Sequence, residues 1–556
     1  MTQDAELLFL PLGGAGEIGM NLNLYGLGPP DARRWLMVDL GVTFSDGMAP
    51  VDVIMPDPAF IEERRDRLVG LVLTHAHEDH LGAVPYLWER LRCPIYATPF
   101  TAEVLAHKLR EAGLTDVPVT RVALGSRFQI PPFDLELITL THSIPEPNAI
   151  AIRTPLGTVL HTGDWKFDPD PVVGPTADED ALRRLGDAGV LAIVCDSTNV
   201  FTEGTSGSEA GLRDSLTEIV AGCAGRVAVT CFASNVARLE TIAHAANANR
   251  RDVVTAGRSL RRIEQAARAT GYMKDVPAFI DEAEAGFFPR DRVLILCTGS
   301  QGEPRAALAR IATGEHPNVS LEKGDAVIFS SRVIPGNETA IAHVQNDLTR
   351  LGVRIVTWND APVHVSGHPA RDELVHMYQL ARPRIAIPVH GELRHLVAHA
   401  ELAKACQVAE VVVAENGALV RLGPGPAGVI ERVHAGRLGV DGGRVIPLDG
   451  DMLRSRIRAF YNGVAVVTVV IDAGGTQVIG NPELSAVGLL DEQDTDAREA
   501  VAEAARNAVA DAPTRDRRDD RALREAIRIA VRRVFRDRVE KKPVTHVHLV
   551  RAGEGR

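Results

Sequence analysis

The sequence predicts an α/β protein of two or three domains, and three observations carry the prediction. Short apolar runs alternate with amphipathic helical stretches up to about residue 450, the pattern of buried strands joined by crossover helices. A chain of 556 residues exceeds what one hydrophobic core fills, so its apolar side chains must divide among several cores. After about residue 450 the texture changes to alternating strands and a heavily charged helix, which reads as a small α+β domain.

The elements follow in order. The opening "MTQDAELLFLPLGGAGEIGM" has no basic region ahead of a long apolar core, and no run of about 18 apolar residues occurs anywhere, so a cytoplasmic protein without membrane contact is expected. "RLVGLVLT" is a buried strand and "GAVPYLWERL" begins a helix. Further strands are "LAIVCDST", "RVAVTCF", "RVLILCTGS", "DAVIFSS" and "RIAIPVH". Gly and Pro in "VRLGPGPAGVIERV" place a joint between about residues 420 and 450. Beyond it come the strand "VAVVTVVI" and the helix "RALREAIRIAVRRVFRDRV". In that helix Leu523, Ala526, Ile527, Ala530, Val531, Val534 and Phe535 recur at helical spacing and form one buried face. Its Arg-rich outer face is either a solvated surface or a contact for RNA or a second subunit.

Composition excludes several function classes. With 45% hydrophobic and 24% charged residues the chain is ordinary globular protein, and a formal net charge of −12 excludes a generic basic coat for nucleic acid. Any nucleic acid must be held locally. The cysteines Cys93, Cys195, Cys223, Cys231, Cys297 and Cys406 show no CxxC spacing, so neither a disulfide frame nor a zinc ribbon is expected.

"LTHAHEDHL" crowds His75, His77, Asp79 and His80 into the loop between that strand and helix, where α/β proteins place chemistry. Residues two apart in an extended turn point the same way, so His75 and His77 can share one ion while Asp79 and His80 turn toward a second. The same pattern, an apolar run and then a polar residue, recurs at His142 in "LELITLTHS", Asp164 in "GTVLHTGDW" and His390 in "RIAIPVHGE". Imidazole and carboxylate suit zinc or manganese and leave a coordination position for water.

"THAHEDH", His142, Asp164 and His390 resemble the metallo-β-lactamase superfamily. "VCDSTN" with Asp196, "HVSGH" ending in His368, and "PVHGE" with His390 look like motifs A, B and C of its β-CASP nucleases. "GGAGEIGMN", "CFASN", "TGSQGEP" and "SSRVIPGNE" are similar to the bacterial ribonuclease J family over residues 5 to 550. Met20 departs by standing where a basic residue is expected, and the last strand "VTHVHLV" is unusually polar.

The resemblance implies an αββα sandwich with an inserted β-CASP α/β domain and a small C-terminal α+β domain. The implied partition is 1–208 and 367–450 for the sandwich, 209–366 for the insertion, 451–464 for a linker and 465–556 for the C-terminal domain. Two divalent ions, zinc or manganese, are implied. His75, His77 and His142 would hold one, Asp79, His80 and His390 the other, and Asp164 would bridge. His368, oriented by Asp196, would protonate the leaving oxygen, or else only position phosphate. Ala233, Ser234 and Asn235, with His364, Val365, Ser366, Gly367 and His368, would face the RNA phosphates. "TGSQGEP" lacks a lysine and the spacing of a nucleotide-triphosphate loop.

The implied activity is 5′ to 3′ exonuclease action with endonuclease cleavage, in decay and maturation of mRNA and rRNA, on single-stranded RNA. A homodimer or tetramer and RNA-decay partner proteins are implied with it. Two other function classes remain: a small-molecule metallohydrolase of the lactamase or thiolesterase type, and an RNA scaffold with a decayed site.

Overall fold

The computed structural model describes residues 4–45, 50–491 and 493–553; the outermost ends of the expected first and last domains lie outside these. The described residues fall into two compact units, one within Met1–Phe44 and Val53–Leu438, the other within Ser45–Asp52 and Gly439–Arg556.

Two sheets dominate the first unit. One has eight strands, in the order Gly428–Arg432, Ala418–Gly423, Glu6–Gly13, Leu22–Gly28, Arg34–Val38, Leu68–Val72, Ile95–Ala97 and Val119–Arg121. The other has seven, in the order Arg127–Ile130, Phe133–Thr139, Asn148–Thr154, Gly157–His161, Ala192–Asp196, Ile385–Val389 and Glu410–Val411. Strand alternation explains how they stack. Leu7, Phe9, Tyr25 and Val38 of one sheet meet Leu135, Ile150, Ile152, Val194 and Ile387 of the other in one buried core. The intervening residues Ala149, Ala151, Ile193, Cys195 and Ala386 face the opposite way. There they are covered by Leu182 and Leu185 of helix Glu179–Ala188, Leu374 and Met377 of helix Arg371–Ala381, and Leu402 of helix Leu393–Ala405. Helix Pro99–Glu111 packs on the eight-stranded sheet. The layers are therefore αββα, and strands buried on both faces account for the unbroken apolar runs of the sequence.

Strands Ala192–Asp196 and Ile385–Val389 are parallel neighbours, Val194 opposite Ile387, although nearly two hundred residues separate them. Those residues include a third sheet, all parallel, in the order Ile280–Asp281, Asp252–Ala256, Val293–Cys297, Val227–Thr230, Ala326–Phe329 and Arg354–Val356. It has its own core around Val254, Ile295, Leu308, Val327 and Leu348. The chain thus leaves the sandwich, builds a separate α/β layer and returns to the adjacent strand. Buried Arg238 ties this lobe to the returning segment, donating to both Glu209 carboxylate oxygens (2.6 and 3.1 Å), to Ser330 O (2.7 Å) and to Val363 O (3.2 Å). Removing that guanidinium would strand a buried carboxylate, at a cost of about 3–5 kcal/mol.

The second unit holds a three-stranded sheet with Val464–Ile471 in the centre, antiparallel to Glu483–Val487 and parallel to Val544–Arg551. Ala465, Val467, Val469 and Ile471 pack against Val501, Ala505 and Val509 of helix Thr495–Ala510 and against Leu523, Ile527, Val531 and Phe535 of helix Asp520–Val539. The last four recur every fourth residue, as the sequence predicts; Ala526, Ala530 and Val534 flank them half-buried. The polar last strand has a simple cause: Thr545 and Leu549 face the core while His546 and His548 face outward. Residues 451–464, expected as a linker, instead form helix Asp451–Asn462 and the first residue of the central strand, and the second unit already begins at Gly439. The bounding Gly450 and Gly463 are helix caps, and a helix anchored by little more than Leu453 leaves only a faint apolar stripe to read.

Candidate metal centre

Strands Phe133–Thr139, Gly157–His161, Ala192–Asp196 and Ile385–Val389 all run in the same direction in their sheet. His142, Asp164, Asp196 and His390 stand at or just beyond their carboxyl ends, and His75 to His80 follow the end of Leu68–Val72. The fold therefore gathers all nine metal and proton-handling candidates at one edge. His75, His77, His142 and Asp164 offer ligand atoms that all lie within 4.8 Å of one another, as do Asp79, His80, Asp164 and His390, and as do Asp164, Asp196, His368 and His390.

In the first group His77 Nδ1 is 3.0 Å from His75 Nε2 and 3.1 Å from His142 Nε2, and Asp164 Oδ2 is 3.9 Å from each of those two nitrogens. In the second, His80 Nε2 is 3.2 Å from Asp164 Oδ2, and His390 Nε2 is 3.1 Å from Asp79 Oδ2. Asp164 belongs to both groups. Its Oδ1 is buried and accepts no hydrogen bond.

Outside acceptors decide which nitrogen of each ring carries its proton. His142 Nδ1 donates to Gly367 O, and His80 Nδ1 donates to Asp39 Oδ2 at 2.7 Å. Asp39 also accepts from Thr74 N (2.8 Å) and Thr74 Oγ1 (2.9 Å), so the Thr74 hydroxyl is left to accept from His75 Nδ1 at 3.0 Å. The Thr198 hydroxyl donates to Asp196 Oδ1 (2.7 Å) and accepts from His390 Nδ1 (3.0 Å). In all four rings Nε2 is the nitrogen aimed inward, and it offers a lone pair to a cation that displaces any proton on it. Asn21 Nδ2, a donor, faces the Nε2 of His80 at 3.1 Å. Convergent lone pairs, an orphaned carboxylate oxygen and a carboxylate common to both groups are what two cations would satisfy.

The electrostatics agree. Burial, reinforced by the neighbouring imidazoles, holds His75 and His142 well below the ordinary imidazole range and lowers His77 to about 4. At His80 burial also disfavours charge, but Asp164, Asp79 and Asp39 outweigh it and hold that ring well above the ordinary range. His390 is raised in the same way, chiefly by Asp164. Neutral donors sit on one side and positive charge is favoured on the other.

His368 differs from these rings. Its side chain is 23% exposed where those of His75 and His390 are 0% and 3%, so it lies toward the open side. Its Nδ1 donates to Asp196 Oδ2 at 2.8 Å. Burial opposes its charge, yet the Asp196 and Asp164 carboxylates raise its proton affinity above the ordinary value.

Of the residues expected against phosphate, the 364–368 stretch reaches this site. A side chain at Gly367 would meet the His142 ring at 2.8 Å, so only glycine lets the loop carbonyl reach that histidine. Asn199 braces the loop, Nδ2 donating to Ser366 Oγ at 2.7 Å and to His368 O at 3.0 Å. Val365 lies beside Gly207. His364 Nδ1 is buried without a partner, and the ring is lowered to about 3 by burial and by Arg238, Arg332 and Lys166. Ala233 and Ser234 are half-buried in the loop after Val227–Thr230. Asn235 is buried and spends its side-chain oxygen on the N-cap of helix Val236–Ala248, accepting from Arg238 N at 2.9 Å. Met20, where a basic residue is expected, is buried in the core.

Asp39, Thr74, Thr198, Asn199 and Asn21 escape the sequence reading. Asp39 had a signal, since "RWLMVDLG" is another apolar run ending in a polar residue; a side chain at Gly41, two residues on, would strike Asp79 O at 1.7 Å.

Comparison with known proteins gives this geometry a family. Residues 30–221 match the metallo-beta-lactamase superfamily, 224–348 the ribonuclease J beta-CASP domain, 361–414 the Zn-dependent metallo-hydrolase RNA specificity domain, and 451–552 the ribonuclease J C-terminal domain. A ribonuclease J of Sinorhizobium meliloti is 46% identical over 555 residues, covering 99% of this chain and 98% of that one. The chain belongs to the ribonuclease J family. Relatives of the same name from Mycobacterium tuberculosis and Helicobacter pylori are 41% and 33% identical, covering 86% and 88% of this chain and 85% and 71% of theirs. A crystal structure of a protein of unknown function from Enterococcus faecalis, 14% identical with TM-score 0.51, covers 75% of this chain and all of that one, and shows likeness of fold. The chain is a metal-dependent RNA hydrolase built as a metallo-β-lactamase sandwich with a β-CASP insertion. Among the described residues no helix is long and apolar enough to cross a membrane.

Proposed function

We propose that this chain degrades and matures single-stranded RNA by hydrolysis at a site for two divalent cations, zinc or manganese, trimming 5′ to 3′ and also cutting internally. The observation that carries the reading is the sharing of Asp164 by two convergent ligand groups, with His368 beside them on the open side. His75, His77 and His142 would hold one cation and Asp79, His80 and His390 the other, with Asp164 within reach of both. Bound there, the pair would acidify water and offset charge on the phosphate. The protein's own groups do the remaining work. Asp39, Thr74, Thr198 and Gly367 fix the imidazole tautomers. The 364–368 loop, braced by Asn199, receives a phosphate against its backbone amides and His364. His368 Nε2 supplies the proton to the leaving 3′-oxygen, and Asp196 stabilises the cationic form that supplies it.

The insertion, 209–366, then forms one wall of the RNA path, with Arg238 fixing it to the 364–368 loop. The second unit is the seat of self-association, most simply a symmetric dimer. Its outer surface leaves Phe460 84%, Tyr461 64% and Val550 49% exposed, apolar area of the kind that subunit contacts cover. The cytoplasm, with its RNA and reduced thiols, is the compartment that fits six unpaired cysteines.

The deciding experiment is product analysis on end-labelled RNAs carrying a 5′-monophosphate, triphosphate or hydroxyl. Mononucleotides released in order from a monophosphorylated 5′ end support the reading. Release from the 3′ end alone overturns it.

A further inference from the structure

Four loops at the carboxyl edge of the third sheet lie outside the His/Asp cluster. They follow strands Val293–Cys297, Val227–Thr230, Ala326–Phe329 and Arg354–Val356, which are neighbours in that order and all parallel. Loops at the carboxyl ends of adjacent parallel strands open on a common crevice, where open α/β sheets take their ligands. The motifs "TGSQGEP" and "SSRVIPGNE" both fall here.

One loop pins the other. Gln301, only 6% exposed, donates Nε2 to Arg332 O at 2.9 Å and accepts from Ile334 N at 2.9 Å. The backbone around Arg332 is thereby held, yet its side chain is exposed and makes no hydrogen bond or ion pair among the described residues. Its specific contact is the ring of Trp358, whose centroid is 5.9 Å from the guanidinium carbon. Trp358 is itself 47% exposed, whereas Trp35 and Trp165 are buried and Trp88 donates its indole N–H to Cys93 O. A half-bare indole held against a guanidinium does little for folding, because the cost of exposing it is not offset by packing.

The charge around it is unbalanced as well. Ser330 Oγ donates to Val363 O at 2.7 Å, which sets the loop of Arg332 against the 364–368 stretch, and Arg238, Arg332 and Lys166 all act electrostatically on His364. Arg238 is paired with Glu209 and Lys166 with Asp168, but Arg332 has no carboxylate. In a chain of net charge −12, an unpaired guanidinium on a pinned loop beside the phosphate-receiving stretch calls for an anion from outside. The aromatic face next to it calls for a flat partner. A nucleotide supplies both.

We propose that Arg332 and Trp358 form a nucleotide grip on the inserted lobe, Arg332 taking a backbone phosphate of single-stranded RNA and Trp358 stacking the adjacent base. The grip contacts substrate away from the bond that breaks, and a stack of this kind accepts every base. It deepens the reading of RNA hydrolysis at the neighbouring site and rests on it.

Binding of fluorescently labelled single-stranded RNA to the metal-loaded full chain tests this, with His368→Ala as the background so that strands stay intact. Trp358→Ala should raise Kd about 5- to 10-fold, the low end for a stacked base since the ring is half covered, and Trp358→Phe should recover most of the affinity. RNA should quench the indole emission in the parent, and the quench should vanish in Trp358→Phe. Strands with a single abasic site, scanned from the 5′ end, should reveal one position that weakens the parent but not Trp358→Ala. Arg332→Gln should lower the slope of log Kd against log salt by about 0.7. Unchanged affinity in Trp358→Ala, or an equal loss on every abasic strand, overturns the proposal. Failure of the hydrolysis reading would show separately, as a parent protein that does not cleave RNA.

Discussion

Replacing Asp196 by Asn changes the charge and the acceptor count of a carboxylate that serves three donors. Oδ2 accepts from His368 Nδ1 at 2.8 Å, while Oδ1 accepts from Thr198 N at 2.8 Å and Thr198 Oγ1 at 2.7 Å. An asparagine has one acceptor oxygen and an NH2, so either His368 or Thr198 must then face a donor with a donor. Asp196 is buried to 1% exposure, and water cannot relieve the mismatch. A hydrogen bond to a charged acceptor is worth about 1.5–3 kcal/mol, which is about 10- to 150-fold in rate. Single-turnover cleavage of end-labelled RNA should slow by that factor. His368→Ala, which removes the proton donor itself, should slow it by about 10² to 10⁴, with bound metal unchanged by elemental analysis. An Asp196→Asn enzyme as fast as the parent would mean that Asp196 does not support the His368 proton, and metal lost in step with activity in His368→Ala would place His368 among the ligands.

Asp39→Asn disturbs the tautomers of His80 and, through Thr74, of His75, so metal affinity should fall about 10- to 100-fold; a zinc titration checks it, and excess metal should restore activity. Burial lowers His399, which is bonded to Ser197 Oγ and Tyr378 OH, to about 4. The unfolded chain therefore takes up this proton first: stability is full above about pH 6.5 and declines by about 3 kcal/mol as pH falls to 4. Denaturation of His399→Gln across that window should show a shallower decline. Phe460→Asp with Val550→Asp should lower the particle mass seen by light scattering if the second unit's exposed apolar surface joins subunits; an unchanged mass would turn attention to its Arg-rich helix face.

His142, Asp164 and His390 were legible because each closes an apolar run, and His75, His77, Asp79 and His80 because they share one loop where local spacing fixes direction; Asp196 and His368 were found only through resemblance. The αββα layering was legible only through resemblance; apolar runs state that both faces of a strand are buried, not what covers them. Asp39 was missed since its role depends on Thr74 and His80 arriving from another strand's end. Asn199 was opaque for the same reason, and so was the contact of Gly367, expected against phosphate, with His142, their partners lying far along the chain. The N-cap use of Asn235 went unread because a small polar residue ahead of a helix serves equally as a phosphate contact or an N-cap, and its side-chain oxygen does the second. The helix Asp451–Asn462 was lost between two glycines that read as loop.

Whether two cations bound around Asp164 enable RNA cleavage is decided by counting them. Metal-stripped protein is titrated with zinc or manganese, and bound ions per chain are measured beside the rate of RNA cleavage at each step. The stripped protein should not cleave, and the rate should reach its plateau as the second ion binds. Cleavage by a chain from which all metal has been removed, or a plateau reached with a single ion per chain, would contradict a need for two cations.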